Sequence, residues 1–205
     1  MNVKKTELAT KLHKLQKYTK HSLVTIAQFR MLFPEYQDSV LKVRLSQLTT
    51  SGVLEKICRG VWSFPESEYY ATTDLRYLPH LLRRTDINYI SLESVLSKHS
   101  VISQQMFDYL TVMTTGRSGT FQTPMGTLEL VHTKKQPLLL LADTAAVENV
   151  PIREALIERA YKDLKKVGRN LDLIDMGELQ EAINAQSTRL HTINRNVKTS
   201  MDNEV

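Results

Sequence analysis

Leu41, Leu45 and Leu48 stand at i, i+4 and i+7, and Gly52 follows four residues after the last of them. Such a stripe lies along one side of a helix, and a glycine just past the end stops it. The helix predicted here starts at Asp38 or Ser39, either of which can accept a hydrogen bond from an otherwise unpaired amide of the first turn. At roughly 100° per residue, the opposite side presents Ser39, Lys42, Val43, Ser46 and Thr50, with Arg44 and Gln47 toward its flanks. A shorter helical pattern precedes it over residues 25–33, with Ile26, Phe29 and Leu32 or Phe33 inward. Pro34 ends that pattern by disfavouring a helical conformation at the residue before it. The break over residues 34–37 has the length of a turn. After Gly52, the run VLEKICRGVWSF reads as two short β-prone segments around Arg59 and Gly60, a hairpin whose tip carries Lys56 and Arg59. Trp62 anchors that hairpin to the helices, and Cys58 is a half-buried strand residue.

Upstream, Leu8, Leu12 and Leu15 give residues 6–18 one apolar face with lysines opposite, the pattern of an amphipathic helix. Helix, helix, turn, helix and basic hairpin, in that order, predict a winged helix-turn-helix domain over residues 1–65. Groove contact falls to Lys42, Ser46 and Gln47, whose side chains can reach base edges. Arg44, Lys56 and Arg59 are placed on phosphate or in the minor groove.

Charge follows the same division. Residues 1–65 hold eleven Lys and Arg against four Asp and Glu, a net +7, whereas the whole chain carries +5, so the remainder is −2. An excess confined to one part suits a partner with dense negative charge, because neutralising phosphates releases counterions and drives nucleic-acid affinity. Charge alone does not separate nucleic acid from an acidic membrane. At 205 residues and 41% hydrophobic, the chain has room for two modest domains. It contains no run of 18 apolar residues, and the start MNVKKTELATKLHKLQ lacks the apolar segment of a secretory signal, so a cytoplasmic protein without a membrane partner is expected. The single cysteine excludes an internal disulfide framework.

Residues 66–88 have mixed character and are assigned to the connection between domains, with short helical turns. Residues 89–205 are expected to form a mixed α/β C-terminal domain, which makes the whole chain α+β. Ser91 caps a helix LESVLSKH there, and YLTVMTT, GTFQT and GTLELVHT form a small antiparallel sheet. Pro151 opens a helix carrying Ile152, Leu156, Ala160, Leu164 and Val167 up to Gly168, with Glu158 and Lys162 paired on its wet side. Asp175 and Glu178 have capping-box spacing for a last helix. The polar tail over residues 186–205 lacks periodicity and is left as flexible or as an arm.

No catalytic pattern stands out in the sequence. TTGRSGT, residues 114–120, lacks the lysine of a phosphate loop and joins strand to strand, so it reads as a hairpin turn. Asp172, Asp175 and Glu178 could hold a metal in principle, but the helix cap accounts for two of them with no extra assumption, and no metal is expected. The six histidines form no ligand pair, and no cofactor is expected.

Two stretches carry a family resemblance: SQLTTSGVLEKICRGVWSFP, and YISLESVLSKHSVI followed by LTVMTTGRSGTFQTPMGTLELVHT. On these the chain resembles the AbiEi family, the antitoxin and autorepressor halves of type IV toxin-antitoxin (abortive infection) systems. The resemblance covers most of the chain and leaves unmatched the basic leader before Leu23 and the tail after Ala185. It implies a winged helix that represses its own promoter at inverted repeats in double-stranded DNA. It also implies a C-terminal domain that counteracts a cognate nucleotidyltransferase-like toxin, directly or functionally. The alternative is a winged helix used for protein contact, or a general transcriptional regulator with no antitoxin role.

Overall fold

The computed structural model describes residues 3–103 and 108–202. The chain is α+β. Its N-terminal unit orders as α1 (Val3–Thr19), β1 (Leu23–Thr25), α2 (Ile26–Leu32), α3 (Asp38–Thr50), β2 (Glu55–Cys58) and β3 (Val61–Ser63). Thr25 starts α2 with a full capping box: its side chain accepts from the Gln28 amide while the Gln28 side chain accepts from the Thr25 amide. The start of α3 differs from expectation. Gln37 occupies the cap position and makes no side-chain cap bond, and Asp38 instead takes both guanidinium arms of Arg30 at 2.8 and 2.6 Å. Leu12, Phe29, Leu41, Leu45 and Phe64 fill the core between the helices, and the Trp62 ring meets Phe29 edge-on at 5.7 Å.

The three strands pair antiparallel in the order β1, β3, β2. Side chains alternate across a strand, and this small sheet is buried on both faces. Val24 and Trp62 face α1–α3, whereas Leu23, Ile57 and Val61 belong to the core of the second unit. Residues 66–88 complete that second core through Leu75, Tyr77 and Leu78, on a 3-10 turn (Leu75–Tyr77) and α4 (Leu78–Leu82).

The second unit continues with β4 (Asn88–Ile90), α5 (Glu93–Lys98), β5 (Tyr109–Thr114), β6 (Gly119–Thr123), β7 (Gly126–His132), α6 (Pro137–Ala142), β8 (Thr144–Ala145), β9 (Arg153–Ala155), α7 (Ile157–Val167) and α8 (Met176–Asp202). Its sheet is larger than the small antiparallel one expected, and mixed. Six strands run in the order β6, β7, β5, β4, β9, β8, with β5 parallel to β7 and β4 parallel to β9. Residues 115–118 therefore close no hairpin, because β7 lies between β5 and β6. The hairpin is β6–β7, turning at Gly126, where φ is +119° and an added Cβ would strike the Asp108 carbonyl. The 115–118 crossover is pinned by Arg83, which donates to the Arg117 carbonyl, and by Ser118, whose hydroxyl accepts from the His132 amide at 2.9 Å.

Two further expectations are corrected. The helix placed at Pro151 begins only at Ile157, because residues 153–155 pair with β4 and β8. Ser91 does not cap α5; its hydroxyl donates to Asp163, and Leu92 takes the cap position at φ +59°. Of the two readings of the tail, the arm is the one that fits, with α8 running on through residue 185 to Asp202. Gln186 on α8 accepts from the Ile157 amide at 2.9 Å and so satisfies a free amide at the start of α7. Asp175 caps α8 as its spacing suggests, accepting from the Gly177 and Glu178 amides at 2.8 and 3.1 Å, and Glu158 pairs with Lys162. No helix among the described residues is long and apolar enough to cross a membrane.

Candidate nucleic-acid interface

The leucine stripe of α3 fixes what the helix shows to solvent. With Leu41 and Leu45 each 2% exposed, Ser39, Lys42, Val43, Ser46, Gln47 and Thr50 are all exposed. The hairpin then folds back beside this helix. Gly60 makes the turn at φ +84°, and its carbonyl accepts from the Ile26 amide at 2.9 Å, which ties the hairpin tip to the first turn of α2. A register shift between Lys56 and Cys58 puts a bulge into the hairpin.

Between α3 and the hairpin lies an open cleft of about 540 Å³, bordered by Lys42, Ser46, Thr50, Lys56, Arg59 and Trp62. No carboxylate borders it among the described residues. Thr50 returns its hydroxyl to the Ser46 carbonyl, which keeps that side chain close to the helix. Lys56 stands 3.5 Å above the centre of the Trp62 ring, and partial burial lowers its ammonium below the usual lysine range. Arg59 is exposed and makes no ion pair among the described residues.

Of the six residues singled out from sequence, Lys42, Ser46, Lys56 and Arg59 therefore converge on one cleft. Arg44 and Gln47 do not border it. The Arg44 guanidinium lies over the Tyr36 ring at 4.4 Å, on the other flank of α3. Arg30 and Thr49 border the cleft and were missed. Arg30 carried one available signal, its place in the last turn of the helix before α3, although its charge is already spent on Asp38.

The second unit holds charge of another kind. Arg169 grips two carboxylates at once, Glu93 at 2.7 and 2.9 Å and Glu129 at 2.6 and 2.8 Å. Tyr109 and Asn170 complete the cluster with bonds of 3.0 and 2.9 Å to Glu129 and Glu93. The Arg169 guanidinium, reinforced by the Tyr109 hydroxyl, holds the Glu129 carboxyl below its ordinary range against the opposing effect of burial. Nearby, Asp163, 1% exposed, accepts from Tyr89 and Ser91 at 2.9 Å and pairs with Arg159. Burial, then the Asp163 charge, raise the Tyr89 phenol well above its usual value and keep it neutral. These groups satisfy one another and tie α5, β4, β7 and α7 together. Asp175 serves as a helix cap, and no group of three or more His, Cys, Asp or Glu placed to hold a metal occurs among the described residues.

Compared with protein-family models and with curated proteins, the chain matches none.

Proposed function

We propose that this chain is a DNA-binding transcriptional repressor whose N-terminal unit is a winged helix-turn-helix, with α3 entering the major groove and the β2–β3 hairpin as the wing. The observation that carries the reading is the carboxylate-free cleft that gathers Lys42, Ser46, Lys56 and Arg59 between an exposed helix face and a hairpin tip. Lys42, Ser46 and Gln47 read base edges, and the exposed Val43 suits a thymine methyl. Arg59 and Lys56 contact phosphate, with Arg44 on the opposite strand of the groove. The resemblance to AbiEi antitoxins extends this reading to autorepression at inverted repeats of its own promoter and to counteracting a nucleotidyltransferase-like toxin through the second unit.

The test is titration of the full chain with duplex DNA from its own upstream region. Lys42→Glu and Arg59→Glu should each weaken binding by about tenfold or more at low salt, with the deficit shrinking as salt rises. Unchanged affinity in both variants, each shown to be folded, sinks the assignment. For the antitoxin part, co-expression of the full chain should restore growth to cells producing the neighbouring gene product. A harmless neighbour, or a toxic one that is not relieved, leaves a DNA-binding regulator alone.

Contact with a protein partner has one observation in its favour. Leu138, Leu139 and Leu141 of α6 are all more than half exposed, an unusual run for a surface helix.

A further inference from the structure

A second cleft, of about 1210 Å³, opens on the other side of the hairpin, between α2 and the segment that carries α4. Its volume is above the range of small-molecule sites, which favour junctions between packed units. Lys20, Arg59, Arg76 and Arg84 border it, and Glu148 is the one carboxylate among the described residues that does. Arg76 is held by Asp74 at 2.5 Å and Lys20 reaches the Tyr69 hydroxyl at 3.3 Å, but Arg84 and Arg59 form no ion pair among the described residues. His21 also borders the cleft, 7% exposed, with an Nδ1 that has no hydrogen-bond partner among the described residues. Ile26, Leu81, Leu82 and Val150 add apolar side chains to the same lining. A lining of cations and apolar side chains together matches a ligand with a phosphorylated end and an uncharged, ring-bearing body.

Arg59 is what the two clefts share, together with Gly60 and Ile26. The turn that carries it is anchored next door by the bond from the Ile26 amide to the Gly60 carbonyl, so only the Arg59 side chain needs to change sides. We propose that the cleft binds a small phosphorylated organic anion of nucleotide size, and that the anion draws the Arg59 guanidinium away from the DNA face and weakens operator binding. The regulatory half rests on the DNA-binding reading; the binding half does not.

The experiment uses the full chain, with ADP and inorganic pyrophosphate as probes, followed by calorimetry without DNA and then by duplex titration at matched ionic strength. ADP should bind, more tightly than pyrophosphate, and Arg84→Ala should weaken it by about tenfold or more. Saturating ADP should lower duplex affinity to that of Arg59→Ala and reduce the slope of log K against log salt by about one. Arg59→Ala itself should no longer respond to ADP, and Arg84→Ala without ADP should bind duplex like the parent. Absence of heat with both probes, or ADP affinity untouched by Arg84→Ala, overturns the site. ADP binding with no change in duplex affinity overturns the coupling. A loss of duplex binding in Arg84→Ala as large as that in Arg59→Ala assigns the cleft to the DNA backbone and overturns the ligand. Because the calorimetry contains no DNA, failure of the repressor reading and failure of the cleft are separate results.

Discussion

The cations of the α3–hairpin face and those of the six-stranded unit obey opposite rules. Lys42 and Arg59 stand in solvent and form no ion pair among the described residues, whereas Arg159 and Arg169 end on Asp163, Glu93 and Glu129 inside or at the edge of a core. A solvated cation costs little to leave unpaired and keeps its charge for a polyanion. A buried one has lost its water, so its partners must be supplied by the chain itself. The contrast separates charge available to a ligand from charge committed to structure.

The contrast breaks most visibly if a buried carboxylate is removed. Asp163→Ala leaves Arg159, 6% exposed, with only its longer 3.5 Å pairing to Asp143 and strands the Tyr89 and Ser91 hydroxyls. It should destabilise the chain by about 3–5 kcal/mol in urea denaturation, while the double variant Asp163→Leu with Arg159→Met should recover much of the loss. A smaller effect comes from His21, whose imidazole is pushed down to about 4 from 6.5, first by burial and further by the nearby His80. The unfolded chain takes up that proton first, so the parent should lose stability as pH falls from 6.5 toward 4. His21→Phe, which keeps a ring beside Tyr77, should lose less over the same window; equal slopes in acid denaturation would remove His21 from the account. The smallest effect belongs to Arg30 and Asp38, an exposed pair despite its bidentate geometry. Asp38→Asn should leave the urea midpoint within error, and a clear shift would mean that surface pairs here are not interchangeable with water.

Local pattern and long-range pairing were unequally legible. The helices of the N-terminal unit announce themselves through Leu8 and Leu12, Phe29, and Leu41 and Leu45, because i, i+4 spacing is a property of neighbouring residues. The hairpin is legible for the same reason, its strands being separated by two residues. The strand order of the larger sheet is not. Nothing local says that β7 inserts between β5 and β6, and Ile152, Leu156 and Ala160 keep a helical period although residues 153–155 are recruited by β4. The tail beyond residue 185 lacks an apolar stripe, yet Thr188 and Thr192 return their hydroxyls to the carbonyls four residues back within α8. At the cleft, the exposed side of α3 followed from the leucine stripe. Which flank residues turn toward the hairpin did not, because Arg44 is diverted by Tyr36, a residue of the preceding turn.

The small sheet has a consequence for dissection. Leu23, Ile57 and Val61 are less than 4% exposed because a later part of the chain covers them. A fragment ending near residue 65 would carry an oily seam along one side of its hairpin, and the complementary fragment would open a matching trough. Each would find the other, or a stranger, to close it. Hydrogen exchange of the β3 amides should therefore slow or quicken with the health of the distant six-stranded sheet, as a party wall reports the settling of both houses.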